Sequence, residues 1–365
     1  MEKIDALADT VTLFLKREPF SISWLEKDGE FLNLVNSLTE HHLEKCQLYR
    51  NIVRPLFPAV ENPKSLYDVP FIPVRLFKSI ELKSVGNSEV FRTMTSSGTT
   101  GDSVSQISLD KETSQVQTRA LSQIMSSVIG KTRMPMLILD STAVIKDRAM
   151  FSARGAGIRG FSMFGKDVEY ALDESMELRI QEIRDFLNRH DGERILLFGF
   201  TFMIWQHVCE ELRIANLSLP IHNGVLFHGG GWKKLASQNI KNDSFKELIK
   251  STLGIKSVIN YYGMVEQTGS IFIECEYGYL HSPSYSEVIV RNQISLLPSE
   301  VGQEGVVQVI SVLPMSYPGH SILTEDLGTV MGRDDCKCGR TGQYFVISGR
   351  IKDAEVRGCS DTYGA

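Results

Sequence analysis

The amino-acid sequence predicts an α/β protein of layered sheets and helices, with a more β-rich portion towards its C-terminus. Three observations predict it. Apolar runs with strand character, at residues 136–140, 194–200 and 224–226, alternate with helix-like stretches at 111–129, 174–188 and 201–212, and that alternation builds α/β layers. Downstream, residues 305–312 and 343–348 read as strands. Finally, 365 residues with 42% hydrophobic and 23% charged content suffice for a sizeable core and for more than one domain.

Taken in order, the first sixty or so residues read as helical. Ile4, Leu7, Val11 and Phe14 mark one apolar stripe, Leu32, Val35 and Leu38 another, and Pro55, Pro58 and Pro63 close the region. The segment Phe71-Ile72-Pro73-Val74-Arg75-Leu76-Phe77-Lys78 reads as a buried connector carrying two cations. Strand-like residues 90–94 and 107–109 then enclose Thr95-Ser96-Ser97-Gly98-Thr99-Thr100-Gly101. Glycines let the backbone approach a ligand, successive N–H groups make an anion-binding concavity, and hydroxyls add donors. Plain turns share this composition, so the stretch by itself only leans towards nucleotide binding. It is not a Walker A loop, because no Gly-Lys-Ser/Thr follows the first glycine at the required spacing.

Residues 155–160 are glycine-rich and approach the dinucleotide spacing, but no clear strand leads into them, and they read as a flexible loop. Four clusters follow. Phe227-His228-Gly229-Gly230-Gly231-Trp232 permits close contact with a flat ligand or a phosphate, and Asn260-Tyr261-Tyr262-Gly263-Met264-Val265-Glu266-Gln267 joins aromatic surface to a carboxylate. Thr324-Glu325-Asp326-Leu327-Gly328 offers acids in a turn-like setting, and Ser348-Gly349-Arg350-Ile351-Lys352-Asp353 lies near the C-terminus. Each alone is also what an ordinary turn or a solvated charge looks like.

The totals exclude some classes. A net charge of -5 without a Lys/Arg block argues against a nucleic-acid partner. Met1-Glu2-Lys3-Ile4-Asp5 is too charged to begin a secretory signal, no apolar run approaches membrane-spanning length, and six cysteines make no disulfide scaffold in a chain this long. The expectation is a cytoplasmic enzyme.

The order of the clusters carries a resemblance. Thr95 to Gly101 resembles the phosphate loop of the adenylate-forming superfamily of acyl-CoA synthetases, peptide-synthetase adenylation domains and luciferases. Tyr262-Gly263-Met264-Val265-Glu266 resembles its Tyr-Gly-x-Thr-Glu motif, Glu325-Asp326-Leu327 its Gly-Asp-Leu element, and Gly349-Arg350-Ile351-Lys352-Asp353 its hinge. More narrowly, residues 71–78, His228 to Lys233, Tyr262 to Gln267 and Leu323 to Gly328 are similar to the acyl-protein synthetases of bacterial bioluminescence, the LuxE family.

The resemblance implies a large adenylate-forming core with layered α/β sheets and a β-rich subdomain. Residues 1–65 would be a helical region packed on the core, 66–347 the adenylating core, and 348–365 the hinge and a short tail. Only thirteen residues follow Lys352, so the superfamily's C-terminal domain is expected to be largely missing. ATP phosphates would lie on Thr95, Ser96, Ser97, Gly98, Thr99, Thr100 and Gly101. Gly229, Gly230, Gly231 and Tyr261 or Tyr262 would frame adenine, and Gly263 and Met264 are also implied to bind the cofactor. Glu266 would bind Mg²⁺, Asp326 would accept from the ribose hydroxyls, and Arg350 would donate to the same region. Glu266, Lys352 and Cys359 are the implied catalytic residues. Val265 departs from the superfamily threonine, and the loop has no lysine just past its second glycine.

The implied activity is ATP-dependent conversion of a carboxylic, fatty acid to an acyl-adenylate. Transfer to a cysteine thiol follows, then to a partner acyl-CoA reductase or acyl carrier. Alternatives are a ligase of the phenylacetate-CoA ligase type and a non-catalytic adenylate-binding subunit.

Two cysteine readings complete the set. Cys275 and His281 precede Cys336-Lys337-Cys338-Gly339-Arg340, and three thiolates with one imidazole suit a closed tetrahedral Zn²⁺ site of the structural type. That arrangement also resembles a zinc site of some phenylacetate-CoA-ligase-like enzymes. Isolated cysteines are otherwise small buried apolar residues, the reading given to Cys46 and Cys209. Cys359 lies in a polar tail two positions from Arg357, whose charge favours the thiolate, and seven residues past Lys352, a reach of roughly 25 Å. It matches the C-terminal acyl-carrying cysteine of LuxE-like proteins.

Overall fold

The computed structural model describes residues 2–58, 62–96, 104–146, 153–230, 240 and 242–351. The chain opens with α1 (Glu2–Phe14), α2 (Leu32–Lys45) and α3 (Gln47–Leu56). Val11 and Phe14 of α1 and Leu32, Val35 and Leu38 of α2 are buried along the expected stripes. Between these helices Ser23 and Glu26 form a reciprocal capping box, followed by a π-helical turn over Lys27–Phe31. The connector becomes β1 (Ile72–Pro73) and the one-turn helix α4 (Leu76–Ser79). Next come β2 (Arg92–Thr95), β3 (Gln106–Leu109) and α5 (Lys111–Ile129). Asp110 caps α5 by accepting from Thr113 N at 2.7 Å, which sets the helix start where the sequence placed it.

From residue 131 the strands and helices alternate: β4 (Met134–Ser141), α6 (Ala153–Ser162), β5 (Gly165–Leu172), α7 (Ile180–Arg189), β6 (Ile195–Phe200). A helical run then passes from Thr201–Ile204 through the π-helical Trp205–Cys209 into Glu210–Ile214. It is followed by β7 (Gly224–Gly229), α8 (Asn242–Leu253) and β8 (Ser257–Tyr262). The last stretch is strand-rich: β9 (Phe272–Glu274), β10 (Leu280–His281), β11 (Ser286–Arg291), β12 (Glu304–Ser311), β13 (Ser321–Arg333) and β14 (Gln343–Arg350).

The chain divides into two compact units. One holds residues 1–95, 103–130 and 263–355; the other holds 96–102, 131–262 and 356–365.

In the second unit, neighbouring strands run β8-β7-β6-β4-β5, all parallel. β4, β6 and β7 are buried along their whole length, as a parallel sheet covered on both faces requires. The chain leaves β4 for the edge strand β5 and returns on the other side to β6, so the strand order reverses between β4 and β6. Crevices at the carboxyl ends of such strands are where α/β sheets bind ligands. Residues 155–160 correct the loop expectation, because they lie within α6. Ile158 and Phe161 are buried, and a Cβ on Gly157 would come within 3.0 Å of the Phe200 ring. The glycine serves close packing there, not flexibility.

In the first unit the sheet runs β11-β12-β13-β14-β10-β9, antiparallel throughout, with β1 added parallel to β13. Residues 324–328, expected as a turn, lie inside β13, laddered to β12 on one side and β14 on the other. The N-terminal segment is tied to this sheet by a fully buried ion pair. Lys27 Nζ donates to Glu287 Oε2 at 2.9 Å and to the carbonyls of Pro283 at 2.9 Å and Ser286 at 2.8 Å. Among the described residues no helix is long and apolar enough to cross a membrane.

Candidate active site and metal centre

In the first unit Glu266 sits in a single 3₁₀ turn, Val265–Gln267, only 6% exposed. The turn is held by its backbone and neighbours. The buried Tyr317 hydroxyl donates to Glu266 O at 2.9 Å and accepts from Gln117 Nε2 at 3.2 Å. Gln267 Nε2 donates to Gly319 O at 2.8 Å and Val309 O at 3.2 Å. Burial pushes the Glu266 carboxyl up from the ordinary carboxylate range; the Ser105 hydroxyl and the Lys78 charge oppose this, while Asp326 adds to it. A buried carboxylate of this kind gains from a hard cation.

Asp326 and Arg350 face each other across the β13–β14 ladder. Arg350 Nε meets Asp326 Oδ1 at 2.9 Å and its NH2 meets Glu325 Oε2 at 2.9 Å. Glu325 Oε1 is closed by Arg75 Nε. Arg75 arrives there because β1 pairs with β13, Ile72 against Ile322 and Pro73 against Leu323, and Val74 N donates to Leu323 O at 2.9 Å. Arg75 of the connector therefore belongs to this acidic cluster, which the sequence reading did not anticipate.

In the second unit Gly229 ends β7 hard against β8. A Cβ there would lie 2.6 Å from Tyr261 O and 2.9 Å from Tyr261 Cε1, so only glycine fits. The Tyr261 ring in turn lies 5.2 Å from Phe161 and 6.3 Å from Phe198. Tyr262 closes β8, half-buried, and Gly230 follows β7. His228, fully buried, pairs through Nδ1 with Thr201 Oγ1 at 3.0 Å, and burial holds its imidazole down at about 3, hence neutral.

Thr95 is the last residue of β2, laddered to Gln106, and Ser96 follows it, so the hydroxyl stretch does begin as the crossing of an antiparallel strand pair. Gly263 and Met264 lead into the Glu266 turn. Ser97, Gly98, Thr99, Thr100, Gly101, Gly231, Lys352 and Cys359 lie outside the described residues.

The sheet of the first unit also gathers Cys275, His281, Cys336 and Cys338, whose ligand atoms all lie within 4.8 Å of one another. Cys275 Sγ stands 3.9 Å from Cys336 Sγ, and Cys338 Sγ 3.3 Å from His281 Nε2. Gly339, at φ +79, turns the chain so that its N–H returns to Cys336 O at 3.0 Å, which points both thiols of Cys-Lys-Cys the same way. Without a cation, burial drives His281 down to about 4 and the Cys338 thiol up to about 12. Three sulfurs and one nitrogen suit zinc: bonds of about 2.3 and 2.0–2.1 Å give tetrahedral edges of about 3.8 and 3.6 Å, against 3.9 Å for Cys275–Cys336 and 3.3 Å for Cys338–His281. Cys46 and Cys209 are buried core residues, as read, and burial pushes Cys209 up to about 12.

The chain resembles known proteins over nearly its whole length. Long-chain-fatty-acid–luciferin-component ligase of Vibrio harveyi is 24% identical over 379 aligned positions, spanning 98% of this chain and 94% of that one. The protein of that name from Aliivibrio fischeri is 21% identical over 344 positions, spanning 90% and 86%. Among solved structures, an open conformation of 2-hydroxyisobutyryl-CoA ligase, in complex with 2-HIB-AMP and CoA, matches with a TM-score of 0.69. Its identity is 17%, over 93% of this chain and 78% of that chain, a likeness of fold: that of the adenylate-forming ligases. Finally, the family described as acyl-protein synthetase, LuxE, matches residues 1–364. The chain, a ligase, therefore belongs to the acyl-protein synthetase family, LuxE.

Proposed function

We propose that this ligase activates a long-chain fatty acid with ATP and then carries the acyl group as a thioester on Cys359. The observation that carries the reading is Glu266: a carboxylate buried against its own charge, fixed through its carbonyl by Tyr317, within a motif shared with adenylate-forming enzymes. A carboxylate oxygen of the acid attacks the α-phosphorus of ATP, the bond to the β-phosphate oxygen breaks, and pyrophosphate leaves. The Cys359 thiolate then attacks the acyl carbonyl and AMP departs. Glu266 is the residue that would hold Mg²⁺, which supplies neutralisation of phosphate charge.

Asp326, which pairs with Arg350 Nε at 2.9 Å, suits the ribose hydroxyls. Gly229, Gly230, Tyr261 and Tyr262 keep the adenine role that their motifs imply. Cys275, His281, Cys336 and Cys338 would hold a structural Zn²⁺, with no open position for chemistry. The acyl group would pass from Cys359 to a partner protein such as a reductase. The names of the Vibrio and Aliivibrio relatives support the choice of a long-chain fatty acid.

The test is fatty-acid-dependent exchange of labelled pyrophosphate into ATP. Glu266→Gln removes the metal-binding charge at nearly constant volume and is expected to abolish exchange while leaving the circular-dichroism spectrum unchanged. Full exchange in that variant refutes the role of Glu266, and no exchange by the unaltered chain with any chain length refutes the reading. Mass spectrometry of the product with and without coenzyme A separates protein acylation from a coenzyme A ligase.

A further inference from the structure

Glu325 stands between two guanidinium groups. Its side chain is only 10% exposed; Oε1 is paired with Arg75 Nε, and Oε2 accepts from Arg350 Nη2 at 2.9 Å. Arg350 Nε donates instead to Asp326 Oδ1, also at 2.9 Å. The fork of one arginine is therefore divided between two carboxylates that are neighbours in the chain.

Neighbours on a regular strand point to opposite faces, so this sharing needs a distortion. β13 supplies it. Val306 pairs with Leu327 and Gln308 with Leu323, so residues 324–326 stand against Val307 alone, a bulge of the kind that re-aims side chains. The buried Thr324 hydroxyl closes the bulge, donating to Val307 O at 2.7 Å and accepting from Asp326 N at 3.1 Å. Ile351 N then fixes the Glu325 backbone by donating to its carbonyl at 3.0 Å. The pairing of β1 with β13 brings Arg75 alongside.

We propose that Glu325 is a positioning residue for nucleotide recognition, holding the Arg350 fork aside so that Asp326 can receive the ribose hydroxyls. A guanidinium facing a single carboxylate closes on it with two parallel hydrogen bonds and engages both oxygens. Glu325 draws Nη2 to itself, while Nε keeps Asp326 in place. Arg75 braces Glu325 at its other oxygen. The proposal deepens the ATP reading above and rests on its ribose role for Asp326.

The experiment measures pyrophosphate exchange at saturating long-chain fatty acid with ATP, 2′-deoxy-ATP and 3′-deoxy-ATP. It compares the unaltered chain with Glu325→Gln, Arg75→Gln and Arg75→Lys. Glu325→Gln keeps the volume but leaves one acceptor for two guanidinium groups. It is expected to raise KM for ATP about tenfold, the scale of one charge-assisted hydrogen bond, with kcat and the melting midpoint little changed. The preference for ATP over a deoxy analogue should shrink by a similar factor, because the missing hydroxyl and Glu325 act through the same carboxylate. Arg75→Gln should shift both in the same direction by less, and Arg75→Lys should recover most of that shift. A KM for ATP in Glu325→Gln within about twofold of the unaltered chain overturns the proposal. So does a rise that is equal for ATP and both analogues, or a loss that merely tracks the fraction unfolded. Should Glu325→Gln not fold, Arg75→Gln, at a side chain 52% exposed, is judged by the same outcomes. Equal use of ATP and both analogues by the unaltered chain overturns the ribose role of Asp326, and this inference with it. No exchange at all by the unaltered chain overturns the ATP reading itself.

Discussion

His281 and His320 are both fully buried in the first unit, both lie against another ring, and both keep an Nδ1 without a hydrogen-bond partner. Their neighbours differ. Three thiols converge on His281. Around His320 stand His42, stacked at 4.9 Å, Tyr49 at 5.8 Å, and Thr39, whose Oγ1 lies 3.0 Å from His320 Nε2. Thr39 already donates to Val35 O, so it must accept from His320, which fixes the tautomer. His42 similarly donates through Nε2 to Pro314 O at 3.1 Å and accepts at Nδ1 from Ser84 at 2.7 Å. Burial holds His42 well below its usual value and His320 down to about 3. One ring faces three thiols, a donor set whose chemistry suits a cation. The other belongs to a neutral hydrogen-bonded staple between α2 and the segment leading to Tyr317. The residue type is the same in both; the partners decide what it does.

The largest effect should fall on the thiol side. Cys336→Ser is expected to lose about one zinc per chain and to lower the melting midpoint by about 10 °C, several kcal/mol at the few degrees per kcal/mol of a domain this size. Elemental analysis and thermal unfolding check it, and metal-free protein from a purification without chelator would erase the contrast. Next comes His42→Ala, which strands the Ser84 hydroxyl and the Pro314 carbonyl and opens a cavity. A loss of about 2–4 kcal/mol in urea unfolding is expected, with zinc content untouched. A loss below about 0.5 kcal/mol would show that the staple carries no weight.

The smallest effect is in pH. His42 and His320 titrate near 6.5 when unfolded and lower when folded, so on acidification the unfolded chain binds their protons first. Stability should therefore be complete above pH 6.5 and fall towards pH 3, by about 1 kcal/mol per histidine between pH 6.5 and 5.5. His41, also lowered by burial and itself influenced by Lys45, Glu44 and Asp110, adds in the same direction. Urea midpoints at the two pH values measure this, and His320→Gln should flatten the slope. An unchanged or higher midpoint at pH 5.5 would contradict the neutral assignment.

The two clusters also separate what the sequence makes legible from what it hides. Cys-Lys-Cys-Gly is a local pattern with a chemical preference, so the thiol cluster could be read with His281 as its fourth member. Thr39 and His320 are 281 positions apart, and neither carries a pattern that points to the other. Arg75 and Glu325, 250 apart, were hidden for the same reason. Periodicity exposed α5, because burial on one face leaves a repeat, and continuous apolar runs exposed β4, β6 and β7, which are buried throughout. Composition misled at residues 155–160 and 324–328, where glycine or acids suggested loops and packing made a helix and a strand.

The parallel pairing of β1 with β13 also sets a timetable for synthesis. Ile72 and Pro73 meet Ile322 and Leu323, and Trp24 N reaches Asp334 across 310 positions. At about 5–20 residues per second, roughly 12–50 s separate the emergence of Arg75 from that of Glu325. During that interval β1, α4 and the Lys27 ammonium wait for partners not yet made, while residues 131–262 can already assemble their parallel sheet. Such distant contacts are the slow ones in folding. The cluster of Arg75, Glu325, Asp326 and Arg350 therefore matures among the last parts of the molecule, and a nascent chain stalled before β13 would possess the second unit without a competent Glu266 surround.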